Sequence, residues 1–126
     1  MSHVINYTLD VRIQNGPALT IARSTAVDAY DSISVEIPDG AADESVDVQP
    51  GGAGQVAFIL VTSSHYGEKL TYKVNSGSTA TPLDTQLLLI GDGAVSLLGA
   101  APNKLKFSNA LGAPASIQIL VGRKAT

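Results

Sequence analysis

Apolar and polar residues alternate with a period of two along nearly the whole chain. From His3 to Ile13 the odd positions carry His3, Ile5, Tyr7, Leu9, Val11 and Ile13, and after Val4 the even positions carry Asn6, Thr8, Asp10 and Arg12. Successive side chains of a strand point to opposite faces, so this segment predicts one strand with a dry side and a wet side. Asn15-Gly16-Pro17 ends it. Asn-Gly supplies the positive φ of a hairpin turn, and Pro17 lacks the N–H that would continue a ladder.

The pattern then recurs. Leu19, Ile21 and Arg23 alternate with Ala18, Thr20 and Ala22; Ile33, Val35 and Ile37 alternate with Ser32, Ser34 and Glu36. Pro38-Asp39-Gly40 is a turn, and Val46 with Val48 marks a short strand broken by Pro50-Gly51-Gly52-Ala53-Gly54. Val56 to Val61 is continuously apolar, as expected of a central strand covered on both faces. Ser63 to Glu68 turns the chain into Leu70, Tyr72 and Val74. Leu87 to Ile90 predicts a second buried strand, and Gly91-Asp92-Gly93 a turn joining it to Ala94–Leu98 as a hairpin, with a short helix over 94–101 as the competing prediction. Leu105 with Phe107, then Ile117, Ile119 and Val121, complete the pattern. About eight to ten short strands and no convincing helix predict an all-β chain. We expect a single antiparallel β-sandwich domain over residues 1–126, jelly-roll or immunoglobulin-like. The stretch 38–54, rich in glycine, proline and acids, is the expected mobile excursion.

Length and composition fit that reading. The 126 residues suffice for one self-sufficient core. With no cysteine there is no disulfide, thiolate metal site or cysteine nucleophile. Charged residues are only 15% of the chain, which leaves few charges to keep copies apart. The N-terminus lacks the basic and apolar regions of a signal peptide, and no apolar run approaches membrane-spanning length.

Charge is unevenly distributed. Residues 1–23 carry Asp10, Arg12 and Arg23, a net of +1. Residues 24–68 carry Asp28, Asp31, Glu36, Asp39, Asp43, Glu44, Asp47 and Glu68 with no basic residue, a net of −8. Residues 69–126 carry six basic residues against Asp84 and Asp92, a net of +4, which gives −3 overall. Either folding brings these charges together and neutralises them locally, or they form opposite poles that attract between copies. Local neutralisation is favoured, because β chains interleave distant segments. With no basic run, nucleic acid is not an expected partner.

Candidate chemistry is sparse. Ser63-Ser64-His65-Tyr66 offers a serine–histidine pair, but neighbours in a turn do not make an oriented triad, and no nucleophile-elbow motif is present. Asp39, Asp43, Glu44 and Asp47 could supply oxygens to calcium, yet their spacing matches no calcium loop, and a solvated acidic loop is the favoured reading. Whether the acidic segment 28–47 takes a cation or a basic partner surface stays open at this level. Gly51-Gly52-Ala53-Gly54 and Gly91-Asp92-Gly93 lack the Lys-Ser/Thr step of a phosphate loop. Tyr30 and Tyr66 are the two aromatic residues expected in loops, which weakens a sugar-binding reading without removing it. No catalytic, cofactor-binding or metal-binding residue is therefore expected.

The stretches Gln55-Val56-Ala57-Phe58-Ile59-Leu60-Val61-Thr62-Ser63-Ser64, Leu70-Thr71-Tyr72-Lys73-Val74-Asn75 and Ala115-Ser116-Ile117-Gln118-Ile119-Leu120-Val121-Gly122-Arg123 resemble the small all-β virion proteins of tailed bacteriophages, head decoration and tail-associated proteins among them. The resemblance runs over residues 45–123, lies in the strand pattern and transfers no functional residue. It implies a non-enzymatic particle component used in many copies. Self-association, docking on a protein shell or tail, and a virion location after assembly in the host cytoplasm are what it leads us to expect. The alternative is a ligand-binding β-sandwich that recognises a carbohydrate or a receptor.

Overall fold

The computed structural model describes residues 3–49, 55–98 and 102–124. Among the described residues ten strands run in chain order: β1 (His3–Arg12), β2 (Ala18–Val27), β3 (Ala29–Ile37), β4 (Glu44–Asp47), β5 (Gln55–Ser63), β6 (Gly67–Val74), β7 (Thr81–Leu83), β8 (Leu87–Ile90), β9 (Lys104–Asn109) and β10 (Ala115–Lys124). They form three antiparallel sheets. β3-β10-β5-β8 and β4-β9-β6-β7 are four-stranded, and β1 and β2 form a two-stranded sheet. Within the two larger sheets, β3 pairs with β10, β4 with β9, β5 with β8 and β6 with β7. The two halves of the chain thus run beside one another as one long ribbon. The additional pairings β5·β10 and β6·β9 roll that ribbon into a sandwich. This is jelly-roll connectivity, one of the two sandwich forms expected.

The core follows the parity of the sequence. Ile37, Ile59, Val61, Ile117, Ile119 and Val121 point inward from one sheet, and Val46, Leu70, Tyr72, Leu105 and Phe107 from the other, all in one buried cluster. Each such side chain contributes about 1.5–3 kcal/mol by leaving water. Among the described residues Gln49, Asn109 and Arg123 are buried polar side chains, Asn109 the most deeply, at 1% exposure. Its Nδ2 donates to the carbonyls of Ile37 (3.0 Å) and Ala113 (2.9 Å), and its Oδ1 accepts from Leu111 N–H (2.9 Å). It ties the end of β3 to the β9–β10 connection with its polar atoms satisfied, as burial demands.

Four expectations change. Ala94–Leu98 is not a strand: a short helix, α1 (Asp92–Val95), leads into a 3₁₀ turn over Ser96–Leu98. Gly91, at φ 96°, turns the chain off β8, and its carbonyl accepts from Val95 N–H at 3.0 Å. The competing helix was expected over 94–101, of which 99–101 lie outside the described residues. Leu87–Ile90 is an edge strand with every residue half-buried, not a second buried one. Tyr30 lies in β3 rather than a loop. The stretch 38–49 is tied to β9 and its flanks rather than a free excursion: Gly40 N–H donates to the Asn109 carbonyl (2.7 Å), Asp43 N–H to Ser108 Oγ (3.0 Å) and Val48 N–H to the Asn103 carbonyl (2.9 Å). Residues 50–54, including the glycine-rich break, lie outside the described residues. A strand the alternation did not mark, β7, holds Pro82, which an edge strand tolerates. No helix among the described residues is long and apolar enough to cross a membrane.

Candidate functional site

The residues singled out for chemistry do not converge. Ser63 Oγ donates to the His65 carbonyl at 2.6 Å, and Ser64 Oγ accepts from Ser116 N–H at 2.9 Å. Tyr66 OH accepts from Ser63 N–H at 3.0 Å, while the His65 ring meets Ser64 Oγ at 3.1 Å. These side chains stitch the β5–β6 turn to itself and to β10. The four acids part company as well. Asp39 accepts from Gly112 N–H (3.0 Å), Asp43 pairs with Lys73 (3.0 Å), and Asp47 accepts from Gln49 N–H (2.9 Å). Glu44 sits on β4, opposite Phe107. Among the described residues, no three His, Asp or Glu side chains gather around one point.

Charge neutralises locally. Lys73–Asp43 and Arg123–Asp31 each join the acidic middle of the chain to the basic segment 69–126. Strand pairing adds to this by setting Asp47 opposite Lys104. Arg123 and Asp31 are only 11% and 14% exposed, so their mutual contact replaces most of the water each loses.

The unusual surface is the N-terminal hairpin. Its register pairs His3 with Val27, Ile5 with Thr25, Tyr7 with Arg23, Leu9 with Ile21 and Val11 with Leu19, which places the odd, apolar residues of β1 on one face. Between the strands, Asn15 takes the positive φ (61°) and Ile13 N–H donates to the Pro17 carbonyl at 3.0 Å. The base of this face is seated on the sandwich. His3 meets the Tyr30 ring edge-on at 5.1 Å, over β3. Ile5 reaches Gly122 on β10 so closely that a Cβ there would lie 2.8 Å from Ile5 Cδ1. Tyr7 lies 6.4 Å from Phe58, on β5. Tyr30, Gly122, Phe58 and Ile90 form one row across β3, β10, β5 and β8. Three successive odd residues of β1 thus land on three successive strands, and the hairpin crosses the outer face of the sheet towards the β8 edge.

Beyond Tyr7 the support ends. Leu9 is 42% exposed, Val11 46%, Leu19 61% and Ile13 61%. Together they put four large apolar side chains in water towards the tip of one hairpin. A two-stranded hairpin is at best marginally stable in water by itself. The dry side expected of the first strand is therefore dry only over its first half. Sequence parity pointed to the face but not to its exposure; the signal at hand was that Leu19 and Ile21 continue the same face across the Asn15-Gly16 turn.

A second concavity, of about 450 Å³, opens between the β7 and β8 edges. Tyr72, Leu87, Leu89, Leu97 and Leu98 line it, with Ser78 and Thr79 at its polar side. Leu97 is 80% exposed there. Burial pushes the Tyr72 phenol above its ordinary value of 10.0.

In comparisons with known proteins, no family model, curated protein or solved structure matches the chain.

Proposed function

We propose that this protein is a non-enzymatic assembly component that works in many copies, a structural protein of a bacteriophage virion that decorates the capsid or belongs to the tail. The observation that carries the reading is the hairpin whose apolar face runs off its own sheet, because such a surface gains stability only when another surface dries it. The side chains that might have done chemistry are engaged in holding turns together, which directs attention to surfaces. Jelly rolls serve in viral shells. That link, like the resemblance to phage virion proteins, is an analogy of fold and style. Light scattering and electron microscopy of the purified chain test the proposal. Oligomers, or binding to shells or tails, are expected. A sharp monomer peak at high concentration with no binding to particles would refute it.

The groove between β7 and β8 supports a second reading, a carbohydrate-binding or receptor-binding module, since it combines an aromatic ring, leucines and the hydroxyls of Ser78, Thr79 and Thr81. A glycan array probed with and without calcium tests it, and an array without hits removes its carbohydrate form.

A further inference from the structure

We propose that two copies join edge to edge along β8, so that the overhanging hairpin of each lies on the outer sheet face of the other. This rests on the assembly reading above and names the partner as a second copy.

The sheet edges point to β8. Among the described residues, β3 carries Asp31 and Glu36, β4 carries Glu44 and Asp47, and β7 carries Pro82. Charge and proline are how edge strands avoid pairing with other chains. β8 reads Leu87-Leu88-Leu89-Ile90 and has neither. It is also the edge towards which the hairpin travels.

The outer face supplies the seat. Beside the row covered by the hairpin runs a second row, Leu120, Leu60 and Leu88 on β10, β5 and β8, each half-buried. Their own hairpin does not reach them fully. If β8 pairs antiparallel with its copy so that Leu89 faces Leu89, Ile90 of one copy stands beside Leu88 of the other. The row beneath the hairpin then continues, across the seam, into the partner's leucine row. The overhanging pairs Leu9/Ile21 and Val11/Leu19 come to rest on it. Shifting the register by two residues sets Ile90 either beside Gln86, with no leucine row to follow, or beside Ile90 of the other copy, whose row is already covered by that copy's own hairpin, so the first register is selected. Two-fold symmetry makes every contact twice. Two overhangs, two leucine rows and two strand edges are thereby buried together.

The chain has no cysteine, so a single introduced thiol reports on the seam. In Leu89→Cys the two thiols lie opposite one another, within disulfide reach. Mild oxidation is expected to give a covalent dimer on a non-reducing gel, while Ser45→Cys, on exposed β4, stays a single chain. Val11→Asp, at an exposed position that needs no repacking, is expected to raise the dimer dissociation constant about 100-fold, because the carboxylate must be dried to bind. An oligomeric parent whose assembly is unchanged by Val11→Asp, with Leu89→Cys unlinked, overturns the edge pairing and leaves the assembly reading standing. A parent that is monomeric and binds no particles, with Leu89→Cys unlinked, overturns both.

Discussion

Replacing Gly122 by alanine puts one methyl group between the hairpin and the sandwich. The new Cβ would sit 2.8 Å from Ile5 Cδ1 and 2.9 Å from Val27 Cγ1, with Val27 Cγ2 at 3.4 Å. Carbon atoms pack at about 3.5–4.0 Å, so close to 1 Å of room must be found. The tip of Ile5 can swing aside by changing rotamer. Val27 cannot do so cheaply: it is β-branched, stiff at χ1 and 1% exposed. Overpacking of this kind costs about 1–3 kcal/mol, offset by roughly 0.5–1 kcal/mol from replacing a strand glycine. The net expectation is a loss of about 1–2 kcal/mol, which lowers Tm by roughly 3–8 °C in a chain of this length. Thermal melts followed by circular dichroism, at one fixed protein concentration, read it directly. Val27→Ala removes the obstructing methyls and is itself destabilising by about 1–2 kcal/mol. In the double variant the two losses should overlap, with a coupling of about 1 kcal/mol. A Gly122→Ala protein as stable as its parent, or two losses that simply add, would refute the claim that Gly122 is the hairpin's seat.

Three further outcomes follow from named contacts. Asn109→Ala leaves two backbone carbonyls and one N–H in a buried place without their partner; a loss of about 2–4 kcal/mol is expected, seen as a lower urea midpoint at unchanged slope. Asp31→Asn strips a mostly buried Arg123 of its counter-charge and should cost about 2–4 kcal/mol, whereas Asp43→Asn, at the more exposed pair with Lys73, should cost under about 1 kcal/mol and less still in high salt; equal losses would contradict the burial argument. The Tyr72 phenol is held above 10.0 by burial, so the folded chain keeps a proton that the unfolded chain releases. Its contribution is complete below the unfolded value and is lost as pH rises through the folded one, so Tyr72→Phe should flatten the alkaline decline in urea midpoint, and identical alkaline slopes would speak against it.

What could be read from the chain alone was whatever depends on neighbours two residues apart. Parity along Ile33-Val35-Ile37, Leu105-Phe107 and Ile117-Ile119-Val121 marks the core residues, because strand geometry sends alternate side chains to opposite faces wherever the strand lies. Hence the all-β class, most strand positions and the sandwich were legible, as was the local pairing of opposite charges. Tertiary structure alone decided which faces meet. Leu87–Ile90 reads the same in a buried strand as in an edge strand, since an apolar run carries no record of how many strands flank it. Ala94–Leu98 became helical because Gly91 turns the chain off its sheet, a long-range outcome that a five-residue pattern does not contain. Most of all, β1 announces a dry side, but what dries it is set by where its hairpin lands: Gly122, Phe58 and Tyr30 cover the first half, and the second half extends beyond its own sheet. Period-two alternation is a property of one strand, whereas burial belongs to two surfaces brought together by folding.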